Sequence, residues 1–246
     1  GFPPAPISPV QSSSYPTVLF NAMVKPWTAF PIKGVIWYQG EANVGRSEQY
    51  GDLFPALITD WRRQWRSDFP FYFVQLANFM ESKKIQPDSE WAALREAQTK
   101  ALKLDQVGMA VTIDIGLADD IHPKNKQEVG RRLALVALAG SYGKNVSSSA
   151  PVFQNYIIKG NKMELDFGQK QDGFQIKGTT LKGFTIAGPD RVFYPAEAMV
   201  HDGKIILSST EVPAPLAARY GWADNPDCNL YGENGLPVAP FRTDCW

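Results

Sequence analysis

Short apolar runs that alternate with amphipathic helical patterns constrain the fold of this chain more than any other feature of its sequence. Three runs typical of buried strands are each followed by a helical spacing of apolar residues, with runs at 34–38, 71–76 and 109–114 and helical patterns over 50–65, 90–104 and 129–140. Strands that are apolar throughout and alternate with such helices are typical of a parallel sheet covered by helices on both faces. We therefore predict an α/β domain over residues 18–149.

The two flanks of this region follow different patterns. Residues 1–17 are rich in proline and serine, which predicts an extended lead-in or linker. After about residue 145 the helical period stops, and short apolar runs alternate with turns that contain glycine or asparagine. This pattern is typical of antiparallel strands. We predict a smaller β-rich module over residues 150–246, packed on the α/β domain.

Charge and hydrophobicity exclude several classes of partner. The 246 residues contain 25 Lys and Arg and 25 Asp and Glu, so the net charge is zero, and no long basic run occurs. Neither a nucleic-acid partner nor a polybasic membrane contact is predicted. No apolar stretch approaches the roughly 18 residues that a membrane helix needs, so no membrane span is predicted.

Two cysteines, Cys228 and Cys245, lie near the carboxyl end of the sequence. A disulfide between them would pin the tail and indicate an oxidising compartment, and free thiols are the alternative. Two cysteines without a neighbouring histidine are too few ligands for a structural zinc site. No metal or other cofactor is predicted.

Polar residues follow each of the three predicted parallel strands. Gln39-Gly40-Glu41 comes after the first strand, Asn78 after the second, and the segment 119–122 after the third. Because functional residues of such sheets gather in the loops beyond the carboxyl ends of the strands, we expect these three segments to form one site.

His122 is the strongest candidate for a catalytic residue. Histidine is the usual general base near neutral pH, and a neighbouring carboxylate orients its ring and stabilises the imidazolium. The spacing of Asp119 favours that aspartate as the partner, Asp120 remains possible, and the other aspartate would cap a helix that begins near Pro123. The second histidine, His201, precedes a hairpin-turn signal and is predicted to be an exposed turn residue.

The tripeptide Gln39-Gly40-Glu41 provides groups that stabilise an oxyanion. Glycine lets a backbone N–H approach a ligand, and glutamine adds a side-chain donor. An ordinary turn from strand to helix is the structural alternative. The sequence contains no G-x-S-x-G motif, and we identify no serine nucleophile in it.

Several segments together resemble the sialate O-acetylesterase family of SGNH-type carbohydrate esterases. The resemblance covers nearly the whole chain and rests on Trp37–Asn43, Leu94–Gln98, Asp119–Lys124, Arg219–Pro226 and Pro240–Asp244. It implies an SGNH-hydrolase-like fold and a serine esterase that removes acetyl groups from sugar hydroxyls without a metal.

By this resemblance, His122 is the general base, Asp119 or Asp120 orients it, and Gln39, Gly40 and Glu41 line the oxyanion hole and acetyl pocket. The family's serine lies in an upstream Gly-Gln-Ser-Asn motif, which this sequence lacks. We therefore expect an upstream segment or a companion chain to supply the serine, and we expect this chain alone to be inactive. The implied partner is an O-acetylated carbohydrate, either sialic acid or a plant or host glycan, and the implied location is secreted or periplasmic.

Two other functions fit part of the sequence. A glycoside hydrolase would use a pair of carboxylates, Glu41 with Asp114 or Asp119, but would leave His122 without a role. A non-catalytic carbohydrate-binding fragment would use some of the seven tryptophans to stack on sugar rings.

Overall fold

The first half of the chain folds around a three-stranded parallel sheet. The computed structural model describes residues 15–168 and 173–246, so residues 1–14 of the predicted lead-in lie outside the described residues. The strands lie in the order β1–β2–β3, with β1 Val35–Trp37, β2 Phe71–Val74 and β3 Val107–Ala110. The helices are α1 Ser47–Trp65, α2 Glu90–Thr99 and α3 Lys126–Gly140. Short helical turns lie at Phe20–Val24, Lys25–Trp27, Glu41–Asn43 and Lys100–Lys103.

Successive side chains of β2 point to opposite faces of the sheet, and both sets are apolar, which explains why helices cover both faces. Phe71 and Phe73 point to one face, where both rings contact Phe54 of α1. Tyr72 points to the other face, and its hydroxyl lies 2.8 Å from Ser141 Oγ at the end of α3. All four side chains of β2 are buried, which explains the continuous apolar run in the sequence.

The third predicted strand lies earlier than its apolar run indicates. The run at 109–114 is apolar, but β3 ends at Ala110. Thr112 turns its hydroxyl to the Gln75 carbonyl at 2.6 Å, and Asp114 pairs with Arg132 of α3 at 2.6 Å. These polar contacts draw residues 111–115 out of the sheet.

The second half of the chain consists of antiparallel strands, as predicted. Two four-stranded sheets have the orders β4–β5–β10–β9 and β13–β11–β7–β8, and β12 pairs with β6. Their core includes the fully buried side chains of Leu165, Ile186 and Leu207. The domain boundaries 18–149 and 150–246 stay predictions. The strands are β4 Asn155–Lys159, β5 Lys162–Asp166, β6 Phe174–Ile176, β7 Phe184–Ala187, β8 Phe193–Pro195, β9 Glu197–His201, β10 Lys204–Ser208, β11 Ala217–Tyr220, β12 Leu230–Gly232 and β13 Phe241–Arg242.

Polar contacts join the β-rich half to the α/β half. Arg242 donates to both carboxylate oxygens of Glu96 on α2 at 2.8 Å. Tyr231 donates to Asp114 at 3.0 Å. A bidentate pair between arginine and carboxylate fixes orientation as well as distance, so the two halves meet in one defined arrangement.

Both thiols are free in the described parts of the chain, so the structure contains no bridge between Cys228 and Cys245. Cys228 is partly buried, and burial raises the pKa of its thiol to about 12. Cys245 is exposed. Within the two described ranges, no helix combines the length and the apolar character that a membrane crossing requires.

Candidate active site

The loops that follow β2 and β3 meet at the carboxyl edge of the sheet. The side-chain oxygen of Asn78 accepts a hydrogen bond from the Gly116 N–H at 2.6 Å. A Cβ at Gly116 would lie 1.8 Å from the Asn78 carbonyl oxygen, so only glycine permits this approach. The amide of Asn78 donates to Asn225 Oδ1 at 2.7 Å, and Asn225 in turn donates to the Met80 carbonyl at 2.7 Å. The β-rich half therefore contributes Asn225 to this edge.

His122 lies in the loop after β3 with Asp120 beside it. The His122 Nδ1 atom lies 3.4 Å from Asp120 Oδ1, and the His122 backbone N–H donates to the same oxygen at 2.9 Å. That N–H is the main reason why the pKa of Asp120 lies below its ordinary value. The imidazole is 84% exposed, so the ring is open to a reacting group. Asp119 is exposed, and the structure places Asp120, not Asp119, at the ring.

Neither aspartate caps the helix after this loop. Helix α3 begins at Lys126, and its N-cap is Asn125, whose side chain accepts from the Glu128 N–H at 3.1 Å. The cap predicted near Pro123 was therefore wrong by about one turn. The carboxylate of Asp120 instead accepts from the backbone of its own turn.

Side-chain hydrogen bonds hold the Gln39-Gly40 segment, which lies just after β1 in the sequence. The Gln39 side chain accepts from the Tyr50 hydroxyl at 3.3 Å and donates to Asn43 at 2.8 Å. A primary amide has two N–H donors, and Asn43 occupies one of them. Gly40 has a φ of 153°, and a Cβ there would lie 3.2 Å from the amide nitrogen of Gln98, so glycine is required.

Contacts of Tyr38 bring this segment next to the histidine loop. The ammonium group of Lys126, four residues after His122, lies 5.2 Å from the centroid of the Tyr38 ring, directly before Gln39. Burial and the negative charge of Glu41 raise the pKa of Tyr38 to about 12, so its hydroxyl stays protonated near neutral pH. The structure thus brings two sequence-predicted segments, around Gln39 and around His122, to the same edge.

Arg95 binds backbone carbonyls of two loops at this edge of the sheet. Its guanidinium is fully buried and donates to the carbonyls of Leu76, Ala77, Ala223 and Asp224 at 2.7–2.9 Å. Burial lowers the pKa of Arg95 to about 9, which still leaves it charged near neutral pH. Two of these carbonyls lie beyond β2 and two in the loop 221–229, which also contains Asn225, so Arg95 holds both loops together.

Asp224 extends this network toward α2. Its carboxylate accepts from the hydroxyl of Ser89, the N-cap of α2, at 2.6 Å and also accepts from the Gln86 side chain. The roles of Arg95, Asp224 and Asn225 were missed in the sequence because the contacts that join Arg95 to Ala223 and Asp224, Asp224 to Ser89, and Asn225 to Asn78 each span more than a hundred positions. Their only sequence signal is membership of the segments 94–98 and 219–226 that carry the family resemblance.

Of the carboxylates considered for a glycoside hydrolase, Asp114 is already engaged. Arg132 donates to its two oxygens at 2.6 and 2.9 Å, and Tyr231 donates to Oδ2 at 3.0 Å. Its side chain is only 10% exposed. A carboxylate with both oxygens bound and little access is poorly suited to act as a nucleophile or a general acid.

A parallel sheet with helices on both faces, with polar loops gathered beyond the carboxyl ends of its strands, defines an α/β protein with its candidate site at that edge. Residues 9–139 match the family model described as carbohydrate esterase, sialic acid-specific acetylesterase. The chain belongs to this family.

Individual relatives agree with the family match. The chain is similar to the sialate O-acetylesterases of Homo sapiens and Pongo abelii, each 32% identical over 266 residues, which are 96% of this chain and 50% of the relative. It is 29% identical over 270 residues to the enzyme of Rattus norvegicus, covering 96% of this chain and 48% of that protein. The chain therefore spans about half the length of the curated relatives it matches.

A solved structure confirms the predicted fold class. The chain matches the crystal structure of a carbohydrate acetylesterase from Xanthomonas citri with a TM-score of 0.88 and 46% sequence identity. The match covers 94% of this chain and 55% of that chain.

Proposed function

We propose that this chain provides the histidine side of a carbohydrate O-acetylesterase that works by acyl transfer between serine and histidine. The observation that supports this most strongly is the pair of His122 and Asp120 in the loop after β3, with Nδ1 and Oδ1 3.4 Å apart. Because Nδ1 lies toward the carboxylate, Nε2 is the ring atom left to exchange protons with serine and substrate.

In this proposal His122 acts as the base and then as the acid. Nε2 removes the proton of the serine hydroxyl while the serine oxygen attacks the acetyl carbonyl, and it then returns that proton to the leaving sugar oxygen. Water then attacks the acetyl-serine while Nε2 takes its proton. The bond between the acetyl group and the serine oxygen breaks, and Nε2 gives that proton to the serine oxygen, which leaves free serine and acetic acid that ionises to acetate. The Gln39 amide and the Gly40 N–H stabilise the carbonyl oxygen as it becomes negative, Glu41 borders the acetyl pocket, and Asp120 stabilises the imidazolium.

The serine comes from an upstream segment or a companion chain. Among residues 15–168 and 173–246, no hydrogen bond joins the His122 ring to a serine hydroxyl. Strand β1 pairs only with β2 in the described sheet, and Ile36 in its centre is 69% exposed. The curated relatives are about twice as long as this chain, which leaves room for a serine-bearing segment on the free edge of β1. The chain alone is then inactive.

The substrate is an O-acetylated carbohydrate, either an acetylated sialic acid or an acetylated plant or host glycan. The names of the relatives favour such a substrate. A secreted or periplasmic location suits a polymeric or cell-surface glycan.

The test is to replace His122 by alanine in the longer protein that carries the serine. We expect kcat to fall by about 10³-fold or more, as when a triad member is removed. The matched control is His201→Ala, at the exposed end of β9, which should leave kcat unchanged. A loss of less than about tenfold in the His122 variant would place the base elsewhere.

A further inference from the structure

Strand β4 forms a free and apolar edge of the β-rich half. Within the described residues it pairs with β5 alone, in the sheet order β4–β5–β10–β9. All five of its residues are exposed, and the three central ones, Tyr156, Ile157 and Ile158, are exposed by 38%, 50% and 42%. An exposed apolar edge of this kind is a template for pairing with another strand.

Two of these side chains belong to the face of the sheet that forms the core. Tyr156 lies opposite Leu165 on β5, and Ile158 lies opposite Met163. Residues directly opposite each other share a face of the sheet, and both Leu165 and Met163 are fully buried. The apolar layer of the core therefore continues onto β4 but is left open there, and a strand that pairs with β4 would close it.

The other edges of the two four-stranded sheets carry features that hinder pairing. Strand β8 ends in Pro195, β13 has two residues, and β9 carries Glu197 and His201 at its ends. Proline, short length and charge are the usual means of blocking edge-to-edge pairing. The centre of β4 has none of them, and its terminal Lys159 is engaged by Glu164 at 2.9 Å.

The hairpin that joins β4 to β5 decides which backbone groups face the free edge. Residues 160–161 form its two-residue turn, and Lys159 lies opposite Lys162 beside this turn. Residues that flank such a turn form a hydrogen-bonded pair, and bonded and free residues then alternate along the strand. The N–H and C=O groups of Tyr156 and Ile158 therefore point to the free edge.

We propose that β4 pairs with β4 of a second copy of this chain, antiparallel and about a two-fold axis at Ile157. In this register Tyr156 lies opposite Ile158 of the second copy, and their backbone groups exchange hydrogen bonds. Ile157 meets its own counterpart as a non-hydrogen-bonded pair, in which opposite side chains are closest. The same surface is used on both copies, so the assembly closes as a dimer.

The charges of the hairpin favour this antiparallel arrangement over a parallel one. Lys159 and Lys162 lie at the turn, and Asp166 lies at the other end of the hairpin, opposite Asn155. Two-fold pairing places Lys159 opposite Asn155 of the second copy, and Asp166 of that copy follows one strand farther along the same row. Ends of opposite charge therefore meet twice, whereas parallel pairing in register would set Lys159 against its own counterpart.

Sedimentation velocity of the 246-residue chain tests this pairing. We expect a monomer–dimer equilibrium, and Ile157→Lys should raise the dimer Kd by about tenfold or more because it sets two ammonium groups against each other at the axis. The matched control is Met199→Lys, at the exposed centre of β9, which should leave the Kd unchanged. A chain that stays monomeric up to about 1 mM, or equal Kd values in the two variants, would overturn the proposal.

Disulfide cross-linking tests the register itself. The background variant Cys245→Ser removes the exposed native thiol. In this background, diamide should convert Ile157→Cys to a covalent dimer about tenfold faster than Met199→Cys, because Cα atoms of a non-hydrogen-bonded pair lie about 4.5 Å apart, within disulfide range. Equal rates for the two cysteine variants would contradict pairing at Ile157.

The serine-bearing segment is the other candidate to cover β4, so sedimentation is repeated with that segment bound. A complex that still contains two copies of this chain, and that separates on Ile157→Lys, supports the proposal. A complex of the segment with a single copy would show that the segment covers β4, and would overturn it. Neither result depends on acetate release, so the esterase proposal keeps its own test.

Discussion

The side chains of Asn78 and Asn225 meet at 2.7 Å although 147 positions separate them in the sequence. Asn78 also accepts from the N–H of Gly116, which lies in the same loop as His122. One side-chain amide therefore joins the loops after β2 and β3 to the β-rich half. The geometry of the candidate site depends on both halves of the chain.

Replacing Asn225 by alanine removes the acceptor of Asn78 and leaves the fold of each half intact. In the longer protein that carries the serine, we expect kcat to fall by about tenfold, because small misplacements of a catalytic loop are costly. Asn234→Ala is the matched control, since Asn234 binds Ser147 and Ser149 in a remote loop. Equal kcat values in the two variants would show that the Asn78–Asn225 contact does not position the site.

Arg95→Met should destabilise the protein strongly. Leu76 and Ala223 lose their Arg95 donor, while Ala77 still accepts from Trp91 and Asp224 still accepts from the Phe79 N–H. At about 1–3 kcal/mol for each of the two buried acceptors left unpaired, we expect the free energy of unfolding to fall by about 2–6 kcal/mol, measured by urea denaturation. Arg63→Met is the control because that side chain is 77% exposed, and a loss of similar size there would contradict this role for Arg95.

The two aspartates near His122 should differ in their importance for catalysis. Asp120→Asn removes the charge beside Nδ1, and we expect it to lower kcat in the serine-bearing protein by about tenfold or more. Asp119→Asn, at the exposed neighbouring position, serves as the control and should change kcat little. The reverse order would restore Asp119, the partner that the D-x-x-H spacing favours, as the orienting residue.

Acid should weaken the ion pairs that Glu128 forms with Arg131 and Arg132 within α3. Hydrogen bonds from Arg131, followed by those from Arg132, lower the pKa of Glu128 from 4.5 to about 2. A carboxyl with a lowered folded-state pKa contributes stability above its unfolded pKa and loses that contribution as the pH falls. The contribution of Glu128 is therefore complete above about pH 4.5 and disappears as the pH approaches 2.

The corresponding measurement is the free energy of unfolding against pH for Glu128→Gln. Over this pH range, we expect the variant to lose less stability than the parent protein, since its amide does not titrate. Glu211→Gln, at an exposed loop position, should follow the parent curve. Parallel curves for the parent and the Glu128 variant would show that the pairs with Arg131 and Arg132 contribute nothing to the pH dependence.

The sequence predicted those parts of the fold that depend on local periodicity. The continuous apolar run at 71–76 led to β2, because a strand buried on both faces is apolar throughout. The helical spacing over 50–65 led to α1, because a helix buried on one face is apolar only at its own period. The third strand was placed too late because Val111 and Ile113 are as apolar as strand residues, while the contacts that draw them out of the sheet come from distant partners.

The candidate site was predictable where its residues follow a strand directly. Gln39 and Gly40 lie directly after β1, His122 lies farther along the loop that follows β3, and a parallel sheet brings such loops to one edge. Arg95 and Asn225 had no comparable signal, since a buried arginine bound only by backbone carbonyls has no carboxylate partner at a recognisable spacing. The choice between Asp119 and Asp120 likewise depends on the turn conformation, which residue spacing does not determine.

Labelling with a fluorophosphonate tests the central claim most directly, namely that this chain holds the catalytic histidine but takes its serine from elsewhere. The chain is treated alone and together with the serine-bearing segment, and intact mass under denaturing conditions locates the adduct. We predict no adduct on this chain in either case, and an adduct on the companion segment that disappears with His122→Ala but persists with His201→Ala. A phosphonylated serine within these 246 residues would contradict the account.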